Sequence, residues 1–274
     1  MSNLQLSNYG IFKYKMNEYL CLIIIIIVFA VIIRALTEHE EIHIPLTRKF
    51  NIKTIFVCTT FDKYDYDFIM KWNNKLNFVV VYNGELTEYL KRLPQRIDII
   101  KTENKGHDIG MWKYYITHNK KIIENLDAII LINNSMLYNK LNMNEIVSLG
   151  MNYSMYSLYL TTQQNGVPPI MTSMFMMYNF DKLKVKDFIE YWDKLPIGGR
   201  KEALDHESNQ ALYYYNLGYS KFGAYSSITL GPMEYDKLKT NTDITKYPLS
   251  IKKVCIIDED ENQSNERYKQ WLKL

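Results

Sequence analysis

The sequence has few of the residues that cross-link or punctuate a chain, with three cysteines, seven prolines and eleven glycines among 274 residues. Three cysteines allow one disulfide at most; Cys58 with Cys255 is conceivable, and two buried reduced thiols are the favoured alternative. The formal net charge is only +3, which argues against a nucleic-acid partner, because such partners usually require a clustered basic face. The chain also has no phosphate-loop lysine motif and no nucleophile elbow, so a nucleotide-utilising hydrolase ranks last among the enzyme classes considered.

One long hydrophobic run is present, near the N-terminus. Residues 20–33 are apolar without interruption, and their flanks extend the run to residues 19–36. This length and composition predict a single transmembrane signal anchor that contacts the lipid bilayer. Two alternatives compete with the anchor. A cleaved signal peptide lacks a small-residue cleavage site here, and a buried core helix would have to bury isoleucines on every face at the chain's end.

Charges on either side of this run predict its orientation. Two lysines precede it and three glutamates follow it closely. By the positive-inside rule we expect a cytoplasmic tail over 1–18, a stem over 37–50 and a C-terminal domain over 51–274 across the membrane. This is a type II arrangement, with the domain lumenal or extracytoplasmic, in the endoplasmic reticulum or Golgi if the source is eukaryotic or viral.

Beyond the stem, short β-branched runs alternate with amphipathic segments, which predicts an α/β domain. Strands that alternate with helices pair in parallel through crossover connections, so we expect a parallel sheet. Gly218 is the predicted cap at the end of a late helix. Predicted strands span residues 53–60, 77–82, 96–101, 128–132, 154–160 and 170–178, and predicted helices span 64–74, 87–93, 111–124, 185–195, 202–216 and 265–274.

The most informative segment is the turn after the third predicted strand, from Asn104 to Lys113. Gly106 and Gly110 allow a ligand to approach the backbone closely and allow positive φ. The helix that begins here offers unpaired N–H groups and a positive dipole end, which suit a phosphate group. Asp108 could accept hydrogen bonds from ribose or sugar hydroxyls. The alternative is an ordinary strand-to-helix turn with Asp108 as the N-cap.

A second polar segment, Asn133-Asn134-Ser135, ends the fourth predicted strand. Ligands of open α/β sheets bind at the carboxyl ends of the strands, and Thr59 and Thr60 end the first strand at the same edge. A divalent cation there would require oxygen ligands, and Asn134 supplies only a neutral carbonyl oxygen, so it is a weak metal ligand. The alternative is a turn that simply uses asparagines.

A third segment, Asp205-His206-Glu207, offers candidates for a general base. A general base must stand beside the hydroxyl group that it deprotonates, and a carboxylate or a histidine can serve. Glu207 is the first candidate, with Asp205 or His206 as its neighbour. The alternative is an acidic first helical turn that stabilises the helix dipole.

The ordered segments ENKGHDIGMWKYY, LDAIILINNSML, PPIMTSMFMMYNFDKL and FIEYW resemble the rhamnan-synthesis-type (RgpF-like) glycosyltransferases. The resemblance covers about residues 53–225 and implies a GT-A-like Rossmannoid mixed sheet flanked by helices. It also implies a nucleotide-sugar donor and a glycan or glycoprotein acceptor. The positions that match the family's pattern are Asn104, Gly106, Asp108, Gly110, Trp112, Asn133, Ser135, Ser173, Phe175 and an acidic helix start with Glu202 or Glu207.

The sequence departs from the family at Asn134, where an aspartate often completes a metal-binding triplet. Metal-independent activity, use of another carboxylate and loss of activity all stay open, so a Mn or Mg cofactor is doubtful. The leading hypothesis is a membrane-anchored glycosyltransferase for polysaccharide or glycoprotein biosynthesis. The alternative is a non-catalytic carbohydrate-binding or structural surface protein on a degenerate glycosyltransferase scaffold. The predicted catalytic residues are Glu207 and Asp205, and the predicted donor-binding residues are Thr59, Thr60, Asn104, Gly106, Asp108, Gly110, Trp112, Asn133, Asn134 and Ser135.

Overall fold

The computed structural model describes residues 50–103, 106–138, 140–158, 160–161, 170–171, 174–198, 200–225, 251–252 and 269–270. The predicted tail, the anchor over 19–36 and the stem up to residue 49 lie outside these residues, as does Cys255. Of the predicted C-terminal helix, only residues 269–270 are described, and they are helical. Within the described part of the chain, no helix has the length and apolar character that a bilayer span requires.

The described elements alternate between strands and helices in the first half of the domain. The strands are β1 (Ile52–Cys58), β2 (Asn77–Tyr82), β3 (Asp98–Lys101), β4 (Ala128–Asn133), β5 (Met136–Leu137), β6 (Met155–Ser157), β7 (Leu160–Thr161), β8 (Ile170–Met171), β9 (Phe175–Asn179), β10 (Phe222–Ala224) and β11 (Ile251–Lys252). The helices are α1 (Lys63–Trp72), α2 (Glu88–Lys91), α3 (His107–His118), α4 (Lys120–Ile123), α5 (Met143–Gly150), α6 (Val185–Lys194) and α7 (Arg200–Asn216).

Seven strands form the main sheet in the order β10-β6-β9-β4-β1-β2-β3. β4, β1, β2 and β3 pair in parallel, as expected, whereas β9 runs antiparallel to both of its neighbours, β4 and β6. The expectation of a wholly parallel sheet therefore fails at β9, whereas β10 again pairs in parallel with β6. No described helix separates β6 from β9, and antiparallel neighbours do not need the helical crossover that parallel neighbours require. The predicted mixed sheet flanked by helices is confirmed.

Both faces of this sheet are covered, so β1, β2 and β4 are buried along almost their whole length. Phe56 of β1 packs on one face in the same cluster as Phe68 of α1. Val57, on the opposite face, belongs to a cluster that contains Trp112 of α3 and Trp192 of α6. Because packed side chains fill both faces, a ligand can reach the parallel strands only at their ends.

The helix that follows the glycine turn differs most from its predicted bounds. α3 begins at His107 rather than at residue 111, and Asn119 separates it from α4. The side-chain Nδ2 of Asn119 donates to the Tyr115 carbonyl at 2.8 Å, so this side chain competes with the helical hydrogen bonds at that point. α5 was not predicted from the sequence. Gly218 has φ +92° and is the second residue after the end of α7, which confirms the predicted cap.

The order of the central strands creates a switch point between β1 and β4. From β1 the sheet grows through β2 to β3 on one side, and the chain then returns through α3 to β4 on the other side. In open α/β sheets, such a reversal opens a crevice outside the carboxyl ends of the two central strands. The fold therefore brings Thr59 and Thr60, which follow β1, close to Asn134 and Ser135, which follow β4.

Candidate functional site

Asn134 bridges the two strand ends at the switch point. Its backbone N–H donates to the Val57 carbonyl at 3.1 Å, and its side-chain Nδ2 donates to the Thr60 carbonyl at 2.6 Å. Thr59 and Thr60 are exposed there. Gly84, in the turn after β2, packs so closely on this segment that an added Cβ would lie 1.9 Å from the Thr59 carbonyl oxygen. The segments that follow β1, β2 and β4 thus pack against one another at this edge.

The glycine turn at the start of α3 lies beside this edge. Gly106 is the N-cap residue with φ +82°, and no side chain caps the helix. The N–H groups of the first turn therefore lack the usual capping partner, as anion binding requires. His107 also has a positive φ, +54°, which is uncommon for a residue other than glycine. Asp108 belongs to the first helical turn and is not the N-cap that the alternative interpretation required.

A hydrogen bond joins the two predicted motifs directly. Asn133 Nδ2 donates to Asp108 Oδ2 at 2.9 Å, which ties the end of β4 to the first turn of α3. Asn133 Oδ1 accepts from the backbone N–H of Ser135 at 3.2 Å and from its hydroxyl at 2.6 Å, so the amide orientation is fixed. Asp108 Oδ1 has no hydrogen-bond partner among the described residues, and it remains available to a ligand.

Burial raises the pKa of Asp108 from 3.8 to about 6, although the Asn133 hydrogen bond and the charge of His107 both lower it. Desolvation disfavours the charged carboxylate more than these two neighbours favour it. The carboxyl of Asp108 therefore changes its protonation state at about pH 6. A ligand that donates hydrogen bonds to Oδ1 would favour the ionised form.

The residues at this edge do not fit a divalent cation. The NH₂ group of Asn134 donates to the Thr60 carbonyl, and its Nδ2 atom lies 3.5 Å from Asp65 Oδ2. Only the neutral Oδ1 of Asn134 could therefore bind a metal ion. Asp65 also accepts the Asp62 backbone N–H at 3.1 Å in the capping box of α1. Among the described residues, no cluster of three histidine, cysteine, aspartate or glutamate side chains has metal-binding geometry.

The three consecutive candidates for a base fall on α7 with different environments. Asp205 is exposed and forms no hydrogen bond or ion pair with any described residue, and the side chain of Glu207 lies outside the described part of the structure. His206 is buried, with Nδ1 2.7 Å from the Tyr191 hydroxyl, and burial lowers its pKa to about 3. His206 is therefore placed in the core and not beside an acceptor.

Glu202, in the first turn of α7, is the acidic residue that local packing links to the glycine turn. A Cβ added to Gly198 would lie 2.4 Å from Glu202 Cδ, and a Cβ added to Gly106 would lie 3.4 Å from the Gly198 carbonyl oxygen. Gly198 therefore stands between the turn and this carboxylate.

Other predicted site residues lie away from the surface of the crevice. Trp112 is fully buried in the core between sheet and helices, so its side chain packs and cannot reach a surface ligand. Phe175 is likewise buried in β9. Gly110 is a buried residue of α3, and Asn104 and Ser173 lie outside the described residues.

Sequence reasoning missed Asp65, although its signal was present. Asp62 and Asp65 have the three-residue spacing of a capping box directly after β1, which places a carboxylate at the switch point.

Comparisons with known proteins give remote structural likeness. No protein-family model and no curated protein matches the chain. The galactosyltransferase LgtC, solved with donor and acceptor sugar analogues, is 11% identical over 81% of this chain and 96% of its own, with a TM-score of 0.43. An active-site variant of LgtC is 12% identical over 80% of this chain and 95% of its own, with a TM-score of 0.39.

The glycosyltransferase GlyE of Streptococcus pneumoniae TIGR4 is 11% identical, with a TM-score of 0.39. The match covers 80% of this chain but only 60% of GlyE. Structural likeness at this level assigns neither a family nor a function. Any functional proposal must therefore be argued from the residues of the chain itself.

Proposed function

We propose that the chain is a glycosyltransferase that binds a nucleotide-sugar donor in the crevice between β1 and β4. The observation that carries this proposal is the hydrogen bond between Asn133 and Asp108, which joins two polar motifs at the switch point of the sheet. A donor requires N–H groups for its diphosphate and acceptor oxygens for its hydroxyls. The uncapped first turn of α3 offers the former, and Asp108 Oδ1 offers the latter.

Transfer moves the sugar from the diphosphate to an acceptor hydroxyl, so negative charge grows on the departing diphosphate and a proton leaves the acceptor. The N–H groups and the dipole of α3 would stabilise that diphosphate. The crevice would align donor and acceptor. A carboxylate of α7 would take the proton; Glu207 and Asp205 are the sequence candidates, and Glu202 has the packing link to the glycine turn.

Three finer assignments belong to the same proposal. The ordered motifs support a rhamnan-synthesis-type enzyme that acts on a glycan or glycoprotein acceptor. The apolar run over 19–36 supports a type II membrane anchor with the domain lumenal or extracytoplasmic. The neutral, hydrogen-bonded Asn134 supports donor binding without a metal ion.

One observation favours a second candidate function, a non-catalytic carbohydrate-binding protein on the same scaffold. The position that would complete a metal-binding triplet is an asparagine, and its NH₂ group is engaged by the Thr60 carbonyl. A scaffold that had lost transfer could keep this asparagine as a structural bridge.

Calorimetric titration separates the two candidates. The full-length chain is titrated with uridine, guanosine, thymidine and cytidine diphosphates, with and without manganese. We expect one of them to bind, with little gain from manganese. The absence of binding by all four would reject the glycosyltransferase and favour the binding protein.

Replacement of Asp108 tests the site itself. Asp108→Ala should lower nucleotide-sugar hydrolysis or transfer by about a hundredfold or more, because it removes the carboxyl group that joins the two motifs and offers Oδ1 to the donor. Asp98→Ala, at an exposed position of β3, is the matched control and should keep wild-type turnover. Turnover retained in a folded Asp108→Ala variant would contradict the assignment.

A further inference from the structure

A cavity of about 690 Å³ runs along the exposed side of α3, outside the crevice that contains Asp108 and Asn133. Its walls are the segment Lys101 to Glu103 after β3, residues of α3 between Gly110 and His118, and Ile197. We call this cavity the α3 groove. Its size is within the range of small-molecule sites.

The charges in the α3 groove do not suit a phosphate or another anion. Lys113 Nζ donates to the Asp193 carbonyl at 3.0 Å and also to the Leu195 carbonyl, so the end of α6 already occupies this ammonium group. Lys101 then faces a cavity that also contains the carboxylate of Glu103. A cluster of free cations, as an anion would require, is therefore missing from the described lining.

The α3 groove does present an exposed aromatic pair. Tyr114 and His118 lie one helical turn apart, with ring centroids 4.3 Å apart and an interplanar angle of 30°. His118 Nδ1 lies 2.7 Å from the Tyr114 carbonyl oxygen, which can only accept, so Nδ1 carries a proton and Nε2 is left to face a ligand. The Tyr114 hydroxyl has no partner among the described residues, and Ile197 is 45% exposed at the cavity wall.

This lining matches the chemistry of a neutral sugar. A pyranose ring has an apolar face that packs on an aromatic ring, and hydroxyls that both donate and accept hydrogen bonds. We propose that the α3 groove binds an oligosaccharide, which stacks on Tyr114 and hydrogen-bonds to His118 and Lys101. From Gly110 to His118 the helix rises about 12 Å at 1.5 Å per residue, so the groove suits a short chain of sugars and not a single ring. The identification of this oligosaccharide as the acceptor rests on the proposed transferase function.

A printed array of linear glucose, galactose, mannose, rhamnose and N-acetylhexosamine oligosaccharides tests the proposal with the full-length chain. Tyr114→Ala should weaken the best oligosaccharide about tenfold, as expected for the loss of one aromatic packing partner. Tyr215→Ala is the matched control, because Tyr215 is 49% exposed and lies on α7. The affinity for the best nucleoside diphosphate, measured on the same variants, should not change.

The outcomes separate this proposal from the transferase function. Oligosaccharide binding that depends on Tyr114 supports the groove, even if no nucleoside diphosphate binds and the transferase proposal fails. Absence of oligosaccharide binding, equal loss in both variants, or displacement of the oligosaccharide by inorganic phosphate would each overturn it. Thermal unfolding followed by circular dichroism establishes that Tyr114→Ala remains folded.

Discussion

The buried carboxyl of Asp108 predicts that Asp108→Asn makes the protein more stable while it abolishes activity. The pKa of Asp108 is raised from 3.8 to about 6, chiefly by burial. A carboxyl with a raised pKa binds protons more strongly in the folded state. The free energy of unfolding therefore falls as pH rises from about 4 to about 6, and it stays lower above that range. The difference between the pKa of 3.8 in the unfolded chain and the pKa of about 6 in the folded protein corresponds to about 3 kcal/mol of unfolding free energy.

The asparagine variant removes this ionisation and keeps the shape of the side chain. Its amide oxygen can still accept the hydrogen bond that Asn133 Nδ2 donates to Oδ2 at 2.9 Å. The stability of Asp108→Asn relative to the wild type should therefore rise by about 2 kcal/mol between pH 4 and pH 7.5. Urea unfolding of the full-length chain at both pH values measures this change.

Asp205→Asn is the matched control for this experiment. Asp205 is exposed and forms no hydrogen bond or ion pair with any described residue, so its replacement should alter stability by less than about 0.5 kcal/mol at either pH. A stability difference between Asp108→Asn and wild type that is the same at both pH values would refute the reasoning. So would an asparagine variant that is less stable than the wild type at pH 7.5.

Two further predictions concern the backbone and the metal. Gly106→Ala should destabilise the domain more than Gly218→Ala in thermal unfolding. Both glycines have positive φ, so either substitution strains the backbone. A Cβ added at Gly106 would lie 2.6 Å from Ile197 Cγ2, whereas a Cβ added at Gly218 would have no described atom within 4 Å. Equal destabilisation would show that the contact with Ile197 does not matter. Asn134→Asp should bind Mn²⁺ more tightly than wild type in calorimetry, because it adds a carboxylate beside Asp65. An unchanged affinity for Mn²⁺ would show that the neutral amide of Asn134 is not the cause of weak metal binding.

The central sheet was predictable because its strands carry their own signals. β2 agrees with the predicted 77–82 at both ends, since NFVVVY is β-branched, apolar and followed by an Asn-Gly turn. The antiparallel direction of β9 was not predictable in the same way. An apolar strand that is buried on both faces has the same kind of sequence pattern whether it runs parallel or antiparallel to its neighbours, and β9 runs antiparallel to both β4 and β6.

The candidate site was predictable to the level of motifs and not of individual side chains. The spacing of Gly106, Asp108 and Asn133 identified a turn and a strand end, and the structure brings Asp108 and Asn133 into hydrogen-bonding distance. Trp112 stands in the same motif and lies on the same face of α3 one turn after Asp108, but that turn packs in the core between the sheet and the helices, so Trp112 is fully buried. The environment of His206 depends on contacts with α6 that no local pattern reports.

The ionisation of Asp108 separates a structural turn from a ligand-binding one. A purely structural link between α3 and β4 would be served by an asparagine at this position, which accepts the same hydrogen bond without the burial of a charge. A carboxyl whose pKa is raised by burial, with one oxygen unpaired among the described residues, therefore supports the proposed ligand site. This reasoning applies equally to a transferase and to a binding protein, because both need a carboxylate for sugar hydroxyls. Asn134 and the acidic residues of α7 are thus the positions where the two functions differ, and turnover of variants there complements the nucleoside-diphosphate titration.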